Sequence, residues 1–265
     1  MEESGDESVH ALRTRIFSRR WAVDEEIRAT AATLPSHDFL SNPSGQYAYV
    51  YLTQFVKALC EARTGRSFGE LKVLDWGCGK GHVTKMLRDL GPGSIDSCDL
   101  LSESEDSAFG QETPIIQHFG IKVKPLEHES ELPYDDQAFD AVLSVGVLEH
   151  VPNDRASLKE IRRVLRPGGL FFCFYLPTEK SWTQKVAHGR GNFYHDRLYG
   201  KSAVQEMLQE AGLDVLDMWY RQLLPKNKVR YPNFRMFERF DQLMTEHTPL
   251  RRYATNLEFV AQRPI

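Results

Sequence analysis

An α/β fold built on a seven-stranded, mostly parallel sheet with helices on both faces is what this sequence predicts. Three observations carry that expectation. Short apolar runs alternate with helical stretches from Leu71 onward, and a glycine-rich turn joins the first run to the helix after it. The run from Leu170 to Leu176 is also continuously apolar, as a strand covered on both faces requires. The 265 residues suffice for one large domain of this kind with an attached cap.

The elements follow in chain order. Leu12, Ile16, Trp21, Val23 and Ile27 recur at roughly helical spacing among charges, predicting one or two amphipathic helices before residue 34. Pro35 and the cluster Ser41-Asn42-Pro43-Ser44-Gly45 then break the chain. Tyr47, Tyr51, Phe55 and Leu59 stand four residues apart, predicting a second helical stretch over 47–63. Residues 1–65 are thus expected to form an N-terminal helical lid on a main domain of 66–265, with Tyr47 and Tyr51 over the ligand or in the core. Strands are expected at 71–75, 94–100, 121–126, 139–145, 170–176, 213–220 and 257–262, and helices at 82–90, 156–165 and 202–211. Gly212 stops the last of these, as a glycine after a helix does. The stretch 177–199 reads as a polar, aromatic-rich loop. Between the last two strands, a cap insertion at about 221–256 contains a helix over 233–246. There Phe234, Phe237, Phe240, Leu243 and Met244 share one face, with Arg235, Glu238, Arg239 and Asp241 opposite.

Composition narrows the classes. The chain is 41% hydrophobic and 26% charged, with no apolar stretch of the roughly 20 residues a membrane-spanning helix needs. A net charge of -4 disfavours nucleic acid as a partner. Cys60, Cys78, Cys98 and Cys173 show no zinc spacing, and three of them fall in or beside expected strands, which fits a reducing compartment. Met1 to Ser8 lacks the basic and apolar regions of a secretory signal, so a cytoplasmic protein is expected.

The chemistry concentrates at Asp75-Trp76-Gly77-Cys78-Gly79-Lys80-Gly81, directly after a strand and before a helix. Glycines let the chain reverse tightly and a ligand approach the backbone, while the helix N-terminus offers unpaired amides. Such a turn also serves to pack strand on helix, but Asp99 ends the next strand about twenty residues on, where a carboxylate accepts ribose hydroxyls. Together they imply an adenosine-containing cofactor. The spacing is Gly-x-Gly-x-Gly, not the Gly-x-Gly-x-x-Gly of dinucleotide sites, and Asp75 would repel a pyrophosphate but attract the ammonium and sulfonium of S-adenosylmethionine (SAM).

These residues resemble the class I, Rossmann-like SAM-dependent methyltransferases, and in particular the group that includes ubiquinone and menaquinone biosynthesis methyltransferases. The resemblance covers roughly 71–176. Val73 to Gly81 is similar to the family's first motif and Asp99 to its ribose-binding acid. Leu132-Pro133-Tyr134, Phe139-Asp140, Leu148-Glu149-His150-Val151 and Leu165-Arg166-Pro167-Gly168-Gly169-Leu170 resemble its later segments. The resemblance implies a SAM site formed by Asp75, Gly77, Cys78, Gly79, Gly81, Asp99, Leu100, His128, Glu129 and Val145, with no metal. One departure stands out: His128 occupies the place where the family usually has an Asp beside adenine, so either His128 or Glu129 is the expected acceptor for the adenine amine.

Methyl transfer from a sulfonium is an in-line displacement that rewards alignment in a dry pocket, and a base is needed only where the acceptor must lose a proton. Glu149 and His150 follow the fourth strand at the edge where open α/β sheets bind ligands, and an imidazole titrates near neutrality, so these two are the candidate catalytic pair. His150 packing on the cofactor is the competing role. The segment 188–197, with His188, His195 and Asp196, is read as acceptor recognition in preference to a metal site. Arg221, Lys226, Lys228, Arg230, Arg235 and Arg239, interleaved with Tyr231, Phe234 and Phe237, form a solvated helix face or a surface for an anionic acceptor. The expected function is methylation of a small-molecule acceptor at oxygen or carbon, such as a quinone, lipid, sugar or specialised metabolite. A catalytically silent SAM-binding subunit and a nucleotide-dependent oxidoreductase are the alternatives.

Overall fold

The computed structural model describes residues 7–34, 39–100, 113–128, 130–191, 197–225 and 234–265. Among them, strands β1 (Lys72–Trp76), β2 (Ser94–Leu100), β3 (Val123–Leu126), β4 (Phe139–Val145), β5 (Leu165–Pro177), β6 (Asp214–Arg221) and β7 (Asn256–Gln262) form one sheet in the order β3-β2-β1-β4-β5-β7-β6. β1 to β5 run parallel, and β7 enters antiparallel between β5 and β6. The strand order reverses between β1 and β4. Their carboxyl ends diverge there into a crevice, the place where open α/β sheets bind ligands.

Nine helices accompany the strands among the described residues: α1 (Val9–Ser18), α2 (Glu25–Ala31), α3 (Pro43–Thr64), α4 (His82–Asp89), α5 (Pro114–Phe119), α6 (Asp154–Val164), α7 (Trp182–Gly189), α8 (Lys201–Glu210) and α9 (Phe234–His247). Alternation along the central strands sorts the core into two layers. Val73, Leu143, Phe172 and Phe174 point to the side packed by α1, α3 and α4. Leu74, Val142, Phe171 and Cys173 point to the side packed by α6 and α8. A third cluster joins α2 and α5 to Cys78 and Met86, beside the glycine-rich turn.

The expected strands are all present, with edges that move by a few residues. β5 begins at Leu165 instead of Leu170, because Leu165 already pairs with Phe139 and the Gly168 amide bonds to the Arg263 carbonyl. α3 begins at Pro43, earlier than the tyrosine spacing predicts. The cluster read as a chain break is this helix's start: the Asn42 side chain accepts from the Gly45 amide at 2.9 Å, and Pro43 fits the first turn, where no amide is needed. Two helices appear where none is expected. α5 is six residues long, and α7, capped by Ser181, replaces part of the loop read over 177–199. Gln184 is the buried residue of α7, so it carries no apolar period to detect.

The largest correction concerns α9. Glu238, Asp241 and Thr245 are buried, whereas Phe240 and Leu243, expected to face the sheet, are half exposed along with Met236. The helix is rotated away from its apolar stripe, leaving Phe237 and Met244 partly buried, because the surface beneath it holds the Arg13 and Arg221 guanidiniums and because the Leu224 amide bonds to Asp241 at 2.7 Å. No described helix is long and apolar enough to cross a membrane.

Candidate functional site

The site assembles where β1, β2 and β4 end. Gly77, Gly79 and Gly81 all adopt left-handed backbone angles, with φ of 69°, 51° and 78°. Such angles strain any residue with a Cβ. Packing adds a second requirement: a Cβ on Gly77 would lie 2.5 Å from the Val147 side chain, and one on Gly81 would lie 2.7 Å from Ile116. The loop is pinned to β2 by its own amides, since Gly77 and Cys78 both donate to the Cys98 carbonyl. Cys78 itself is buried, and Gly81 opens α4 without any side-chain cap.

Asp99 closes the loop from β2. One of its oxygens accepts from the Gly79 amide at 2.6 Å and the other from Leu100 at 2.8 Å. Burial nonetheless pushes its carboxyl above the ordinary range, against those two bonds. Asp75 is 1% exposed and accepts from the Thr84 hydroxyl at 2.6 Å, which ties α4 to β1; Thr84 in turn touches Ser97 at 2.8 Å. Burial raises its pKa to about 7, with a further push from Asp99. Among the described residues, no lysine or arginine pairs with either carboxylate. A cradle with one buried and one partly buried acid and, among the described residues, no cation suits a positively charged ligand such as SAM and would repel a pyrophosphate.

The remaining expected residues are placed unevenly. Leu100 is a large apolar side chain left 39% exposed at the end of β2. Val145 ends β4, paired with Phe174. His128 is exposed just after β3, and Glu129 lies outside the described residues, as do residues 192–196 of the loop read as acceptor recognition. Lys226, Lys228, Arg230 and Tyr231 also lie outside them. Arg221, in contrast, is buried against Glu258, so it is no part of a solvated basic face.

Glu149 and His150 stand on the segment after β4, across the crevice from the glycine loop. Glu149 is 5% exposed, and burial raises its pKa to about 8. His150 is exposed, with its Nε2 3.8 Å from a Glu149 oxygen. The pair thus consists of a solvent-facing imidazole with a carboxyl group beneath it.

Three residues that sequence reasoning passed over also reach this edge. Tyr49 packs edge-on against His82, the first residue of α4, with ring centroids 4.2 Å apart. Phe39 lies 5.9 Å from Tyr49, and Tyr175, at the end of β5, lies 5.8 Å from it. Helical phase explains the substitution of Tyr49 for its neighbours: Tyr51 faces Phe17 and Phe55 in the core, and the Tyr47 hydroxyl bonds to the Arg19 carbonyl. The four-residue spacing selects the core stripe of α3, and Tyr49 lies off it.

Comparison with known proteins agrees with this geometry. A family model described as a methyltransferase domain matches residues 74–173, from β1 to β5. The chain is 27% identical to a ubiquinone biosynthesis O-methyltransferase of Maricaulis maris over 57% of its own length and 61% of the relative's. It is 32% identical to the same-named protein of Parvibaculum lavamentivorans over 52% of each chain. The chain thus spans between half and two thirds of these curated relatives. In fold it resembles the structure of a Haloferax volcanii complex between the Trm112 methyltransferase activator and a putative methyltransferase, with a TM-score of 0.55 and 22% identity over 92% of this chain and 98% of the other. The acidic glycine cradle, the strand order and these matches together mark residues 74–173 as a methyltransferase domain with the class I, Rossmann-like fold, whose cofactor is S-adenosylmethionine.

Proposed function

We propose that this protein transfers the methyl group of SAM to an oxygen of a small-molecule acceptor bound at the carboxyl edge of β4 and β5. The observation that carries the proposal is the cradle of Asp75 and Asp99 around the glycine loop, where a buried and a partly buried acid have no cation among the described residues. Asp99 accepts the ribose hydroxyls, the amides of the loop follow the methionine part, and Asp75 counters the ammonium and sulfonium through the dipoles around it. Leu100 offers its exposed side chain to the adenine face, with His128 or Glu129 as acceptor for the amine. Within the expected lid of residues 1–65, Phe39 and Tyr49 close the pocket, while α1 and α3 pack on the sheet.

Bound SAM supplies an electrophilic methyl carbon. His150 is placed to take the hydroxyl proton of the acceptor as the new O–CH3 bond forms and the S–CH3 bond breaks, with the protonated Glu149 carboxyl fixing the position of the ring beside it. The relatives named as ubiquinone biosynthesis O-methyltransferases favour oxygen over carbon and a quinone-related acceptor over a sugar.

Calorimetry with SAM and with NADH tests the cofactor, and binding of NADH alone would favour the oxidoreductase. Transfer of labelled methyl from SAM into hydroxylated aromatics then separates an enzyme from a silent SAM-binding subunit. His150→Ala is expected to slow turnover by about 10²- to 10⁴-fold with SAM affinity unchanged. Equal turnover in both proteins would remove His150 from the mechanism.

A further inference from the structure

Tyr175 combines three features that packing alone does not require. Cys173 pairs with Phe259 and Leu176 with Leu257, so two residues of β5 stand against one of β7. That bulge puts Tyr175 at φ 63°, a left-handed angle unusual for a bulky side chain. Its hydroxyl is buried and has no hydrogen-bond partner among the described residues. Phenylalanine would fill the same space without burying an unpaired donor.

Its position gives those features a meaning. Phe174, one residue before, accepts the Gly146 amide at 3.0 Å and so locks the end of β5 to the end of β4, three residues ahead of Glu149. The ring itself packs on Phe39 and on Tyr49, which in turn meets His82. Tyr175 therefore stands at the end of β5 beside the glycine-loop edge of the crevice, with the Arg221 guanidinium 5.8 Å from its ring on the other side. Bulges next to active sites re-aim side chains, and backbone strain held in place by its surroundings points toward function.

We propose that Tyr175 is a specificity-determining residue whose hydroxyl donates a hydrogen bond to an oxygen of the acceptor, holding it for transfer. The inference rests on the methyltransferase reading above. Burial also keeps the phenol protonated, as a donor must be.

Tyr175→Phe keeps the ring, the bulge and the aromatic contacts and removes only the donor. The probe is catechol, titrated into wild type and variant, each loaded with S-adenosylhomocysteine, with SAM affinity measured separately by calorimetry. Wild type is expected to bind catechol about tenfold more tightly than the variant. In turnover the same change is expected as a raised KM for catechol with the KM for SAM unchanged. Equal catechol affinity in the two proteins, no catechol binding by loaded wild type, or an equal loss of SAM affinity would each overturn the proposal. Failure of wild type to bind SAM at all would instead overturn the methyltransferase reading.

Discussion

Two groups of charges among the described residues, one under α9 and one at the crevice, are built on opposite plans. Under α9, Arg221 meets Glu258, which is fully buried and also accepts from the Trp219 indole at 3.0 Å. Arg13 reaches Glu246 at 3.0 Å and lies over the Trp219 ring. Each cation there has an acid, and the cluster binds α1, β6, β7 and α9 together. At the crevice, buried Asp75 and partly buried Asp99 have hydrogen bonds but, among the described residues, no cation. The paired cluster reads as structure. The acid-only cluster holds a cost that a cationic ligand relieves, and for that reason it reads as a site.

Breaking the first cluster should have the largest effect. Glu258→Gln leaves the Arg221 charge buried without its partner and is expected to cost about 3–5 kcal/mol of stability, measured by urea denaturation. Removing an acid from the second should do the reverse: Asp99→Asn is expected to hold stability within about 1 kcal/mol while weakening SAM binding about 10- to 100-fold. If Asp99→Asn destabilised the fold as much as Glu258→Gln, the contrast between the two clusters would be void.

The pH dependence sharpens the same contrast. Asp75 and Glu149 are held above their unfolded values, at about 7 and about 8. The stability they confer is complete below the unfolded carboxyl range, about pH 4, and is lost as pH rises through those folded values. Asp140 behaves oppositely, because Arg66, Arg166 and the Lys72 amide lower its pKa, so its contribution disappears only in acid. Between pH 5 and 8 the ligand-free protein is thus expected to lose thermal stability. SAM affinity should move the other way, since a cationic ligand favours ionised Asp75. It is expected to rise by up to about tenfold per pH unit from pH 5.5 and to level near 7. Affinity that is flat over this range in calorimetry would exclude Asp75 as the countercharge.

What could be read from the sequence divides along the same line. The strands, the glycine turn and Asp99 were legible because each depends on local chemistry: apolar alternation, left-handed angles and an acid at a strand end. Tyr49 and Tyr175 were not, since one faces the site from an α3 position off the core stripe and the other is turned by a bulge set by pairing with β7. Nor was the orientation of α9. Its apolar stripe is a valid local signal, but it is overridden by groups distant in sequence: Arg221 and Arg13 favour Glu238 and Glu246 on the inner face, and the Leu224 amide takes Asp241.

That rotation supplies the smallest predicted effect and a direct test of it. A Leu243 that packed on the sheet would cost about 2–5 kcal/mol on truncation. Here it is 54% exposed, so Leu243→Ser is expected to change stability by no more than about 0.5 kcal/mol. Asp241→Ala removes the acceptor of the Leu224 amide from a buried position and is expected to cost about 1–3 kcal/mol in the same urea titration. The polar substitution on the apolar face should therefore be the milder of the two. If Leu243→Ser proved the more damaging, α9 would have to lie on the sheet by its apolar stripe, and the paired cluster beneath it would lose its acids.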